Sequence, residues 1–236
     1  MNLSTKDIWA IGAPFLVAVG GCYLFGYWGA LEINVLEFVG FTDLAKLSLY
    51  PLLVATAFFF VGVAWNELTL GERLAPGGGA ETRIGKFGRR HWKALLSLNL
   101  LAIALIAILG PEPSRWFIVA LLLVIYGTAL SHVEWIIDAI PNPRVRGTLL
   151  QILVALPALA FANGRYEAYS AIQLRSAKTI EVARSGLPLV SDLSSPVLYL
   201  GLLGETYVLR ETKTGKTVLV KRRDDTPLFL SAKGGV

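Results

Sequence analysis

The chain has 236 residues, of which 54% are apolar and only 17% charged, with a formal net charge of +5. That balance lies outside the soluble-globular range. The single cysteine, Cys22, excludes a disulfide framework and a thiolate metal cluster, and the placement of the cations argues against nucleic acid as the partner.

The charges are missing in blocks. Runs without Asp, Glu, Lys or Arg cover 8–31, 47–66, 94–111, 116–133 and 147–164, with lengths of 24, 20, 18, 18 and 18 residues, while the next longest, 193–204, has 12. A helix needs about 17–25 residues to cross the ~30 Å hydrocarbon layer, so five runs qualify. The expected fold is a membrane α-helical bundle of five transmembrane helices (four being the alternative count), followed by a small β-rich C-terminal domain. The first two spans are expected at about 8–31 and 47–68, and the next three at 94–110, 116–137 and 147–166. The division falls between a helical domain, 1–176, and a β-rich domain, 177–236.

In chain order, the first run is too long for a signal-peptide core and lacks a small-residue cleavage site before Glu32, so it is read as an uncleaved span. Along it Ala18, Cys22, Gly26 and Ala30 repeat every four residues, a face that lets helix backbones approach closely within or between subunits. The segment EINVLEFVGFTDLAK (32–46) is read as a short interfacial helix, with Thr42 capping the turn into the second span and Pro51 near its start. Its Glu32, Glu37, Asp43 and Lys46 form a mildly acidic rim.

APGGGAETRIGKFGRR (75–90) is read as a flexible basic linker. It fails the phosphate-loop pattern at Ala80 and Phe87, so Arg83, Lys86, Arg89 and Arg90 are assigned to anionic lipid headgroups. GPEPSR (110–115) forces the third and fourth spans into a hairpin, and DAIPNPRVR (138–146) is a proline-rich turn before the fifth. That last span contains Pro157. Arg146 and Arg165 would snorkel to its opposite faces, with Tyr166 and Tyr169 in the outer aromatic belt.

The N-terminus and the loops 67–93 and 138–146 hold nine Lys and Arg, against two in the loops 32–46 and 110–115. The positive-inside rule puts the former group in the cytoplasm and the C-terminal domain outside it. All six tryptophans, Trp9, Trp28, Trp65, Trp92, Trp116 and Trp135, fall near span ends, as expected of an interfacial belt. From Thr179 onward the runs IEV, PVLYLGLL, TYVLRE, KTVLVKRR and PLFLS are β-prone. TYVLRE-TKTG-KTVLVKRR reads as a hairpin with Gly215 in its turn. Its 60 residues are few for an independent core, so the domain is expected to lean on the membrane or a neighbouring subunit.

Within the spans the polar residues are sparse. Asn99 and Gln151 are read as interhelical hydrogen-bonding groups, or as pore-lining ones in an oligomer. His132, Glu134 and Asp138 form one titratable cluster, but on a straight helix His132 and Glu134 point about 160° apart and cannot share an ion. His91 stands beside Trp92 at the same end. No metal, cofactor or catalytic motif emerges.

The stretches FANGRYEAYSA and LYLGLLGETYVLRETKTGKTVLVKR resemble a group of uncharacterised bacterial multi-spanning inner-membrane proteins. In these the last helix ends in a Gly-basic-Tyr-x-Ala pattern and a small β-domain follows. The resemblance implies a bacterial inner membrane and this architecture, and no mechanism. The function expected is non-catalytic, through oligomerisation or regulation of a partner, in the sharper form a pore-forming or membrane-perturbing component of stress or phage defence. The rivals are a small-solute transporter or channel, and a membrane-embedded enzyme using His132, Glu134 or Asp138.

Overall fold

The structure, a computed structural model, describes residues 5–38, 83–173, 178–180, 185, 197–222 and 229–231. The second expected span, Thr42, Pro51 and Trp65 lie outside the described residues. Five helices are described: α1 (Thr5–Ala30), α2 (Arg83–Leu109), α3 (Arg115–Leu130), α4 (Glu134–Ala139) and α5 (Pro143–Ile172). A 3₁₀ turn at Val35–Glu37 follows α1. Three of these helices contain segments long and apolar enough to cross a membrane: Gly12–Ala30, Arg90–Leu109 and Val145–Ile172.

The helices form a layer in which α5 is central, with α1 on one side, α3 on the other and α2 outermost against α3. α1 and α5 run parallel, because Gly26 meets the Phe161 carbonyl while Gly164 meets the Tyr23 carbonyl. Each glycine removes the side chain that would hold the two backbones apart, so the helices cross with carbonyls seated in each other's notches. Val19, Leu156 and Ala160 extend the contact below the crossing. α3 approaches α5 through Gly127, where an added Cβ would stand 2.9 Å from the Leu150 carbonyl oxygen. Tyr126 ties α3 to α2 by donating to the Leu96 carbonyl at 3.0 Å.

Three sequence expectations are corrected here. Residues 83–90 are not a loose linker but the first turns of α2. Arg83, Lys86, Arg89 and Arg90 are good helix formers, and their preference offsets the helix-weakening Gly85 and Gly88. The fourth span does not run to residue 137. α3 stops at Leu130, Ser131 turns its hydroxyl onto the Thr128 carbonyl at 2.6 Å, and a separate short helix restarts at Glu134. An uncharged run cannot reveal such a break, which local hydrogen-bonding competition from Ser and His makes. The last helix does not end at the GRYEAY pattern but continues to Ile172. Ionic and hydrogen-bonding partners from other elements hold its charged turns in place.

The C-terminal strands, β1 (Lys178–Ile180), β2 (Val197–Leu203), β3 (Thr206–Glu211), β4 (Thr217–Lys221) and β5 (Leu230–Ser231), form an antiparallel sheet in the order β4-β3-β2-β1-β5. The β3–β4 hairpin is the one read from the sequence, with Gly215 at φ +70° in its turn. One core joins the sheet to the helix ends. Leu198, Leu200, Leu203 and Val208 from the strands pack with Leu24, Trp28 and Leu31 of the first segment, Val35 of the 3₁₀ turn, and Ala168 and Ala171 of α5. The sheet therefore leans on its own chain. Trp28, expected in an interfacial belt, is a core residue with 4% of its surface exposed. A bulge in β2 brings Gly201 (φ +150°) against the Trp28 ring, where a Cβ would stand 3.1 Å from it.

Candidate functional site

Two polar clusters mark the end of the bundle that carries the sheet. The first begins with Glu112 in the α2–α3 hairpin. Its carboxylate accepts from Arg115 and from Arg165 Nη2 at 2.8 Å, and from the Trp116 indole N–H at 3.1 Å. Both guanidinium groups lie over the Trp116 ring, at 5.2 and 5.5 Å from its centroid, and Trp116 stands edge-on to Phe161 at 5.0 Å. Arg165 thus does not snorkel to a lipid face, and Trp116 packs within the protein. Trp116, expected in the outer belt, instead organises the protein's own ion pairs.

Removing Glu112 should leave two arginines facing each other with no anion between them. With side chains only 16–19% exposed, Glu112→Ala is expected to cost about 1–3 kcal/mol, more than Arg115→Ala. A double-mutant cycle on thermal unfolding reads the coupling; equal and additive single effects would count against the cluster.

The second cluster surrounds an open cavity of about 470 Å³ where α1, α5 and the sheet meet. α1 supplies Tyr23 and Tyr27, one turn apart on the face turned to α5. α5 supplies Asn163 and Glu167 at the same spacing. Tyr23 donates to one carboxylate oxygen of Glu167 at 2.5 Å, and Asn163 Nδ2 to the other at 3.2 Å. Tyr27 donates to the Leu200 carbonyl at 2.7 Å, which closes the wall against β2. Lys178, at the start of β1, and Tyr199 on β2 complete the lining.

Burial pushes the Tyr199 phenol above its ordinary value of 10.0, with nearby Tyr207 adding to the effect. The folded state therefore holds this proton more tightly than the unfolded chain, and its stability should fall as pH rises past 10.0. Tyrosinate absorbance compared between the parent protein and Tyr199→Phe checks this; a missing late-titrating phenol in the parent contradicts it.

The residues singled out from the sequence are distributed among different contacts. Cys22 is a free thiol at the α1–α5 interface, beside Val19 and Leu156. Gly26 faces α5 of its own chain rather than an axis between subunits. Gln151 donates to Thr128 across α3–α5 at 3.2 Å. Asn99 lies on α2 with its carbonyl oxygen buried and without a hydrogen-bond partner. These four do not converge on one site.

His132 stands in the break between α3 and α4, with Nδ1 against the Thr128 carbonyl at 3.0 Å and the Ser131 hydroxyl at 3.2 Å. Glu134 and Asp138 are exposed on α4. Among the described residues no group of three His, Cys, Asp or Glu is placed to hold a metal ion. His91 is the kink of α2, with non-helical φ −115° and its ring on Phe87 at 4.7 Å. A cavity of about 530 Å³ at that end is lined by Trp92, Leu96 and His132. Arg83, Lys86 and Arg90 are exposed on the first turns of α2, and Arg89 lies on the same turns.

Glu112, Glu167, Tyr23, Tyr27, Lys178 and Tyr199 were not among the candidates. The available signal was the pair of tyrosines four apart beside Gly26, since a buried phenol on a helix-packing face needs an acceptor. No protein-family model matches the chain, and neither the curated proteins nor the solved structures include one detectably similar to it.

Proposed function

We propose that this chain is a non-catalytic, multi-spanning protein of the bacterial inner membrane. In this reading it spans five times, with a cytoplasmic N-terminus, and its sheet acts outside the cytoplasm as a sensing or docking module. The observation that carries the reading is the single core through which the sheet grips the ends of α1 and α5. A partner or ligand held at the sheet would act directly on the parallel helix pair, without a flexible linker between recognition and bundle. Regulation of a partner, or assembly with further copies, follows more naturally from that coupling than turnover of a substrate. The apolar exterior supports the membrane setting: Ile108 and Leu109 of α2 are 74% and 76% exposed, and Leu121 of α3 69%. In water such a surface would drive aggregation; in lipid it requires no cover.

Side-specific labelling tests the arrangement. Lys216 is exposed in the β3–β4 turn and avoids the positive φ of Gly215, which a cysteine would strain. In a Cys22→Ala background, Lys216→Cys should react with a membrane-impermeant maleimide on intact spheroplasts, and Lys86→Cys only after lysis. Protection of Lys216→Cys until lysis would overturn the five-span orientation.

A further inference from the structure

We propose that the cavity between α1, α5 and the sheet binds a zwitterion carrying an ammonium and a phosphate group, of the phosphoethanolamine type. The lining has two opposite charges that do not neutralise each other. Glu167 stands on the α5 wall and Lys178 on the β1 wall, and no ion pair joins them. Among the described residues neither meets another opposite charge. Glu167 is partly buried, and its two hydrogen bonds, one to each oxygen, leave acceptor capacity on both. A carboxylate withdrawn from water without a counter-charge is costly, and a ligand ammonium removes that cost.

The remaining walls suit the same ligand. Tyr27, Tyr166 and Tyr199 line the same cavity as Glu167, and aromatic rings attract ammonium groups. Lys178 on the β1 wall offers a charged donor to a phosphate, and the Ser170 hydroxyl, one turn along α5 from Glu167, lines the same cavity as a second donor. A volume of about 470 Å³ falls within the range of small-molecule sites, ~300–1,000 Å³. The site also lies at the sheet end of the bundle, where the proposed topology puts the outer headgroup layer. The phosphoethanolamine group could come from a lipid headgroup, a source that rests on the membrane reading, or from a free solute, which does not.

The full chain, purified in detergent, is titrated with phosphoethanolamine, ethanolamine and inorganic phosphate, following the thermal midpoint and binding heat. Phosphoethanolamine should bind at least about tenfold more tightly than either fragment, the increment expected when one charged contact is added. Glu167→Gln, nearly isosteric, should weaken it about tenfold or more. Lys178→Gln, on an exposed strand position, should abolish the advantage over ethanolamine. In nanodiscs of mixed phosphatidylethanolamine and phosphatidylglycerol, selective retention of the former that Glu167→Gln removes identifies the lipid as the source; solute binding without retention identifies the free compound.

No binding of phosphoethanolamine, binding equalled by glycine, or binding unaffected by Lys178→Gln would overturn the proposal. Lys178→Gln and the ligand series decide the matter even if Glu167→Gln fails to fold. Carbonate extraction is run in parallel: release of the chain from membranes would overturn the membrane reading alone, and the solute titration would still judge the site.

Discussion

Gly164→Ala and Gly26→Ala should each destabilise the protein by about 3 kcal/mol, whereas Gly12→Ala and Gly29→Ala should stabilise it by about 0.5–1 kcal/mol. All four replacements are the same chemical change within helical segments. Intrinsic helix propensity favours alanine in every case. What differs is the neighbour. A Cβ at Gly164 would collide with the Tyr23 carbonyl and stand 2.9 Å from the Tyr27 nitrogen, and one at Gly26 would collide with the Phe161 carbonyl and stand 3.2 Å from the Arg165 nitrogen. These are backbone atoms, so no rotamer change relieves the clash and the whole helices must separate. Nothing lies within 4 Å of a Cβ at Gly12 or Gly29. Thermal unfolding of the detergent-solubilised protein reads the contrast, and four changes of the same sign would refute the crossing geometry. The contrast also qualifies any flux experiment on the first helix: loss of activity on replacing Gly26 reports a broken fold, so a pore is better probed at Gly12 or Gly29.

Trp28→Ala should cost about 3–5 kcal/mol, the usual penalty for emptying a large aromatic site in a core. An indole resting in an interfacial belt would cost far less. Trp28 is enclosed by strand residues above, α5 residues beside and the 3₁₀ turn in front, so its loss opens a void where three elements meet. The sheet should loosen before the bundle does, seen as hydrogen exchange rising first at β2 and β3. Gly201→Ala provides the complementary test, since it crowds the same ring and forces an alanine into φ +150°. Its cost should shrink in the Trp28→Ala background, where the crowding part is relieved and the backbone part remains. Additive effects of the two changes would mean that ring and strand do not touch.

The sequence makes the apolar segments legible because an absence of charge is a local property, readable over 20 residues at a time. It also makes the β3–β4 hairpin legible, because Gly215 and two alternating runs suffice to specify it. The ends of helices are less accessible. Arg165 and Glu167 look like markers of a helix leaving the bilayer, yet α5 continues past both to Ile172. One is satisfied by Glu112, 53 residues away, and the other by Tyr23, 144 residues away, and no window along the chain shows those partners. The positions of Trp28 and Trp116 near span ends say nothing about which way a ring turns. The cavity at Glu167 was invisible for a related reason: its walls come from α1, α5 and two strands, and their meeting depends on the α1–α5 crossing.

That crossing pairs α1 with α5, the first and last of the described helices long enough to cross a membrane. At a ribosomal rate of about 5–20 residues per second, the 144 residues between Tyr23 and Glu167 take about 7–30 s to synthesise. Throughout that interval the newborn first helix must wait with its glycine notch unfilled and its tyrosines unsatisfied. Maturation is therefore timed by the arrival of α5, and a chain truncated anywhere before Phe161 should be recognised by quality-control proteases as an orphan, however well its earlier segments have formed.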